Sequence, residues 1–277
     1  MRARTFGTIL LAALPVVYLV AFATSTGRRI DAVLFGRVAG ADLDSVRQIG
    51  HRALDTIDIA SLVLAGIALV VVGLARGRGG RAAAAGIVLV GSLATTELLK
   101  AALGPLDRRL APNRGSEWEG SFPSGHATIA MSLALAAVLV APRALRPAAA
   151  VAGSVYAAAV GVSLVALGWH YPSDVVGGFL VASLWCAAAL VGLRAWGERA
   201  DGRFVIGHER VGLVLGALLA LAFAVVLVAA LVTHPAFVDA LRLRRSFVAT
   251  GTALGLLSIA LVGGVTALAP EPVQPRP

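Results

Sequence analysis

Apolar residues fall in long unbroken blocks along the chain, separated by short stretches rich in Arg, Gly and Pro, without the alternation of half-buried strands. Blocks near 6–24, 57–75, 82–103, 124–141, 148–168, 172–193, 211–232 and 247–269 each predict a helix. Most run about eighteen residues or more, enough to cross a hydrocarbon core of roughly 30 Å. A span inside a bilayer must satisfy its own backbone, and a closed barrel would alternate polar with apolar residues. The fold class that survives is all-α, a polytopic transmembrane helix bundle of about eight spans. Residues 1–196 hold the first six, and residues 197–277 add two more with a Pro-rich tail from Pro270 to Pro277. Arg2 and Arg4 precede the first block, whose length fits a signal anchor; a cleavable signal peptide ending near Ala21, Phe22 and Ala23 is the alternative. Between the first two blocks, Ile30, Val33, Leu34 and Val38 recur at helical spacing among Arg and Asp. This predicts a helix that either lies in the membrane interface or packs against the spans. No internal repeat is evident, which argues against a transporter built from inverted halves.

Composition agrees with a bilayer environment: 58% of the residues are hydrophobic and 14% charged, which excludes a disordered chain and an ordinary water-soluble fold. The net charge of +9 comes from Arg, with Lys100 as the single lysine, and it gathers at block ends where lipid headgroups lie. Nucleic acid is not the expected partner; the bilayer and a phosphorylated membrane lipid are. Arg76, Arg78 and Arg81, then Arg143 and Arg146, then Arg194, Arg199, Arg203 and Arg210 mark three short loops as cytoplasmic. Segments near 25–56, 104–123, 169–171 and 233–246 are then extracytoplasmic, and the plasma membrane is the expected location. Arg in place of Lys and abundant Ala point to a GC-rich bacterial genome. Cys186 is the only cysteine, so no intramolecular disulfide forms.

Three stretches put polar residues where a membrane protein otherwise avoids them. Lys100 closes the third block, followed by Asp107, Arg108, Arg109 and Arg114; Pro123, Ser124, Gly125 and His126 open the fourth; His170, Tyr171, Pro172, Ser173 and Asp174 join the fifth to the sixth. Alternating spans carry all three to the outer face. In the second stretch Ser124 can cap a helix, Gly125 admits a close group, and the first-turn amides attract an anion. His126, one turn in, can give a proton to a leaving oxygen. In the third, Pro172 keeps His170 just outside the sixth helix, while Asp174 in the first turn can hold one ring nitrogen and leave the other nucleophilic. Lys100 with Arg108, Arg109 or Arg114 can supply the cations of a phosphate pocket. The plainer readings are a capped span for Ser124, a helix cap for Asp174 and a snorkelling Lys100 beside Glu97. His51, His208 and His234 are scattered without ligand partners, so neither metal nor cofactor is expected.

These residues resemble the type 2 phosphatidic acid phosphatase family of membrane lipid phosphatases, over roughly Lys100 to Asp174. That family carries Lys, six residues and Arg-Pro; then Pro-Ser-Gly-His; then Ser-Arg, five residues, His, three residues and Asp. The second part is complete here, and His170 with Asp174 completes the end of the third. The resemblance implies a six-helix core and metal-independent hydrolysis of a lipid phosphate or diphosphate. In it His170 attacks phosphorus to form a phosphohistidine, Asp174 orients it, and His126 protonates the departing alkoxide. Lys100, Ser124, Gly125 and an arginine, Arg108 or Arg109, would hold the nonbridging oxygens. Two positions depart from the pattern. Asp107 stands where the family has Arg, and Leu164 follows Ser163 where the phosphate-binding Arg belongs. The vacancy at Leu164 leaves an alternative, a weakened or inactive protein that binds a phosphorylated lipid headgroup. If no native arginine fills that place, Leu164→Arg is expected to raise turnover.

Overall fold

A computed structural model describes residues 3–39, 59–111, 122–195 and 245–269. The expected span near 211–232, Arg114, His51, His208, His234 and the tail lie outside the described residues. The described chain is all helical. Its α-helices are α1 (Ala3–Tyr18), α2 (Ser25–Ala39), α3 (Ile59–Ala75), α4 (Gly79–Leu110), α5 (Gly125–Val140), α6 (Arg146–Ala166), α7 (Pro172–Ala195) and α8 (Arg245–Leu268). A π-helical turn, Leu19–Ala23, prolongs α1, and a 3-10 turn, Arg143–Leu145, precedes α6. Five of these stretches are long and apolar enough to cross a membrane: Ala3–Ala23, Gly79–Leu110, Arg143–Ala166, Pro172–Ala195 and Val248–Leu268. The shorter Val63–Ala75 and Gly125–Val140 are apolar as well. Large apolar side chains such as Leu11, Leu64, Val90, Leu98 and Leu256 are exposed, as they would be toward lipid tails.

The helix α5 is the centre of the bundle. It packs against α3, α4, α6 and α7, while α7 lies against α1, α4 and α5. Met131, Leu135, Val138 and Leu139 of α5 and Phe179, Leu190 and Leu193 of α7 are buried in one shared core. Close approach is paid for with small residues: an added Cβ at Gly178 would stand 2.7 Å from the Ser124 carbonyl oxygen and 2.9 Å from Thr128 N. Helix α8 rests on α6 and α7 as well as on α2, with Ser258 Oγ donating to the Ser154 carbonyl at 2.9 Å.

One difference from the sequence expectation bears on the site. The third span does not stop near 103 but continues through Pro105 to Leu110 as one 32-residue helix. At about 1.5 Å per residue it is about 48 Å long, and Lys100 lies about 32 Å from its start, a distance comparable with the thickness of a bilayer core of roughly 30 Å. Of the two placements open to the helix between the first two blocks, α2 takes packing: it lies against α6, α7 and α8 and Asp31 is buried near its centre, although Ile30 and Val33 remain exposed.

At the opposite end, arginines assigned to cytoplasmic loops also satisfy helix ends. Arg78 Nη1 donates to the Ala141 carbonyl at 3.3 Å, Arg81 Nη1 to that of Leu139 at 3.1 Å, and Arg194 Nη2 to that of Leu268 at 2.6 Å. The last carbonyls of a helix lack partners and carry partial negative charge, so each guanidinium answers both deficits.

Candidate active site

The three polar stretches meet at one end of the bundle. Ser124 is the N-cap of α5: its backbone is extended and its Oγ accepts from Ala127 N–H at 3.4 Å. Its own N–H donates to the Asp174 carbonyl at 2.9 Å, which binds the second stretch to the third. Lys100 joins them from α4, since a Cβ added at Gly125 would lie 3.2 Å from Lys100 Nζ. Glycine at this position thus lets the ammonium come up to the start of α5. Lys100 also pairs with Glu97 at 2.9 Å.

A helix stop places His170. Gly168 has φ of 74°, and its N–H donates to the Val165 carbonyl at 3.1 Å while Trp169 N–H donates to that of Leu164 at 3.0 Å. This is the Schellman arrangement, in which a left-handed glycine ends the helix and turns the chain. His170 N–H then reaches the Leu164 carbonyl at 3.3 Å, and α7 begins two residues later at Pro172. Pro172 needs no donor at the first helical position. The side chain of Asp174 is fully buried, and its Oδ2 accepts from Tyr171 N–H at 3.1 Å and stands 3.5 Å from His170 Nδ1. Among the described residues Nδ1 has no hydrogen-bond partner of normal length. The carboxylate beside Nδ1 favours a proton there and leaves Nε2 with the lone pair. His126 is within electrostatic reach of both His170 and Lys100, and its ring lies 6.0 Å from that of Trp169.

The structure thus brings His126, His170, Asp174, Ser124, Gly125 and Lys100 together. Arg108 and Arg109 sit exposed in the last turn of α4. With no loop between them and Lys100, the helical period governs where they point. Position 107 returns nearly to the Lys100 face, whereas 109 lies about 180° from it. Asp107, on the Lys100 face, is buried and accepts from Tyr18 Oη at 2.7 Å. Leu164, in the last turn of α6, is fully buried in the apolar core.

Several supporting residues escaped sequence reasoning. Thr128 Oγ1 donates to the Ser124 carbonyl at 2.8 Å and lies 2.9 Å from Thr96 Oγ1, fastening α5 to α4 one turn below the site. Their spacing was a usable signal: Thr96 is four residues before Lys100 and Thr128 four after Ser124, each on the same helix face. The Gly177-Gly178 pair inside an apolar span was another, since glycine there marks a close helix contact. Among the described residues no group of three or more His, Cys, Asp or Glu could hold a metal ion.

Two imidazoles, a buried carboxylate and an ammonium around a capped helix start in a helical bundle form an arrangement that can receive a phosphate ester. Residues 82–198 match the family model described as the PAP2 superfamily, a stretch that includes every one of these groups. The match supports a type 2 phosphatidic acid phosphatase-like family, and with it a phosphatase-type hydrolase acting on phosphorylated substrates. No curated protein and no solved structure matches the chain.

Proposed function

We propose that the protein hydrolyses the phosphate or diphosphate of a membrane lipid, of the phosphatidic acid or polyprenyl type, through a phosphohistidine intermediate. The observation that carries this reading is His170 with a carboxylate at Nδ1, within electrostatic reach of His126, beside the capped start of α5. Binding alone needs cations; a second imidazole and an orienting carboxylate are what covalent catalysis adds. Nε2 of His170 attacks phosphorus as the bond to the lipid oxygen breaks, and His126 gives its proton to that oxygen. Water then attacks the phosphohistidine, His126 takes back a proton, and inorganic phosphate leaves with His170 restored. Lys100 and the first-turn amides of α5 around Ser124 and Gly125 hold the nonbridging oxygens, with Arg108, about 80° around α4 from Lys100, as the further donor; Arg109, on the opposite side of that helix, is not one. No metal or cofactor enters, because the chain's own cations and helix start supply the positive charge.

Position supports a lipid as the substrate. With the start of α4 at one boundary of the bilayer core, Lys100, about 32 Å along the helix, would stand at the other, where headgroup phosphates rest. The arginine-rich opposite end favours an extracytoplasmic site in the plasma membrane by the positive-inside rule. Purified protein in detergent is expected to release phosphate from phosphatidic acid, a polyprenyl phosphate or a polyprenyl diphosphate in the presence of a chelator, and His170→Ala to release none. Equal release by that variant would end the proposal.

The buried Leu164 favours a second reading, a membrane protein that holds a phosphorylated headgroup without turning it over. Brief exposure to substrate carrying labelled phosphate separates the two. A phosphatase leaves acid-labile label on the chain that His170→Ala abolishes, whereas a binder retains the lipid and takes up no label.

A further inference from the structure

The helix α2 reaches the site from far away in the chain and holds the two residues that alternate with the candidate nucleophile pair. Asp31 Oδ1 accepts from Ser173 N–H at 3.1 Å and its Oδ2 accepts from Ser173 Oγ at 2.6 Å. Ser173 is the second residue of α7, so its N–H is one of the first-turn donors that find no partner within the helix. The carboxylate also lies where the positive end of α7 favours an anion. One turn further along α2, Phe35 stacks on Tyr171, with ring centroids 4.2 Å apart and planes 17° from parallel. The order His170, Tyr171, Pro172, Ser173, Asp174 therefore has its second and fourth members gripped by α2.

That grip is itself anchored. Thr24 Oγ1 accepts from Gly27 N–H at 3.0 Å at the start of α2, and Arg28 Nη1 donates to the Phe22 carbonyl at 2.7 Å. Below that turn, Tyr18 binds Asp107 of α4. The α1–α2 corner is thus attached to the bundle on both sides of the site.

We propose that α2 is a strut and Asp31 a positioning residue: by fixing the first turn of α7 it holds Asp174 against Nδ1 of His170. This rests on the phosphatase reading only for its kinetic consequence. In Asp31→Ala, kcat is expected to fall between about ten- and a hundredfold, the loss that a displacement near 1 Å brings, while KM stays within about twofold. Asp31→Asn keeps an acceptor oxygen and is expected to restore kcat to within about threefold of wild type. A loss merely of global stability would give neither the split between kcat and KM nor that rescue.

Amide hydrogen exchange of residues 168–178 in detergent micelles supplies a readout independent of turnover. Asp31→Ala is expected to speed exchange there by about tenfold or more while α5 is unchanged. Should Asp31→Ala fail to fold, Ser173→Ala, which removes only the side-chain donor, is expected to act in the same direction with smaller size. Unchanged exchange overturns the strut. So does faster exchange with undiminished kcat, or an Asn variant as slow as Ala. Wild-type protein that turns over no lipid phosphate, yet whose exchange responds to Asp31→Ala, would overturn the phosphatase reading and leave the strut standing.

Discussion

Substitution of Gly178 by alanine tests the packing that sets the site. The added methyl would stand 2.7 Å from the Ser124 carbonyl oxygen and 2.9 Å from both the nitrogen and Oγ1 of Thr128. Two of the three atoms are backbone and the third, Thr128 Oγ1, is tied by its hydrogen bond to the Ser124 carbonyl, so none swings aside freely. Carbon and oxygen come no nearer than about 3.3 Å even in favourable C–H···O contacts, so the helices must separate by about half an ångström or more. Overpacking of this kind costs about 1–3 kcal/mol. The same movement stretches the 2.9 Å bond from Ser124 N–H to the Asp174 carbonyl and shifts the two imidazoles relative to each other. A loss of about 10- to 100-fold in turnover follows from misplacement approaching 1 Å. Gly192, on the same helix with open space around it, supplies the control. There alanine should be neutral or stabilising by about 0.5–1 kcal/mol, the ordinary helix preference. Thermal unfolding in detergent and phosphate release from the lipid panel read the two effects separately. If Gly178→Ala proved as stable and as active as Gly192→Ala, the close contact would not be setting the site.

The other tests concern the two departures from the family pattern. Leu164→Arg buries a guanidinium in the apolar core and is expected to lower the unfolding midpoint, a buried unpaired charge costing about 3–5 kcal/mol; raised turnover instead would mean that the new side chain escapes to the phosphate. Tyr18→Phe leaves the ring on Phe22 and Phe122 but removes a buried donor from Asp107, a loss of about 1–3 kcal/mol. An unchanged unfolding midpoint would show that the Tyr18 hydroxyl does not support Asp107.

The bundle was legible because its spans are long and apolar, and the site because its polar residues stand at their ends. Alternation of spans was enough to predict that Lys100, Pro123–His126 and His170–Asp174 share one face. What could not be read were contacts between helices distant in sequence. Nothing local to Asp31 announces a bond to Ser173, 142 residues away. The third apolar block ends near 103, yet the helix runs on through Pro105 to Leu110. That continuation matters because Arg108 and Arg109, one and two residues past the position where the family pattern has arginine, are then set apart from it by a rotation. A loop could carry Arg108 or Arg109 back to the phosphate; a helix fixes their bearing from Lys100.

Asp107 and Leu164 then describe one change rather than two unrelated gaps. Both stand where the family pattern has arginine, and both side chains turn inward: Asp107 to Tyr18 of α1, Leu164 into the core between helices. At each place a group that would carry charge to the phosphate has been replaced by one that ties helices together. Lys100, shared with Glu97, and the amides at the start of α5 are positive groups that lie beside the imidazole pair. With arginine missing at two positions of the family pattern, catalysis of the proposed kind would draw more of its rate from geometry. A site of that kind depends on the contacts that hold its imidazoles in place, from Asp31, Gly178 and the Thr96–Thr128 pair, more than one whose arginines grip the substrate directly.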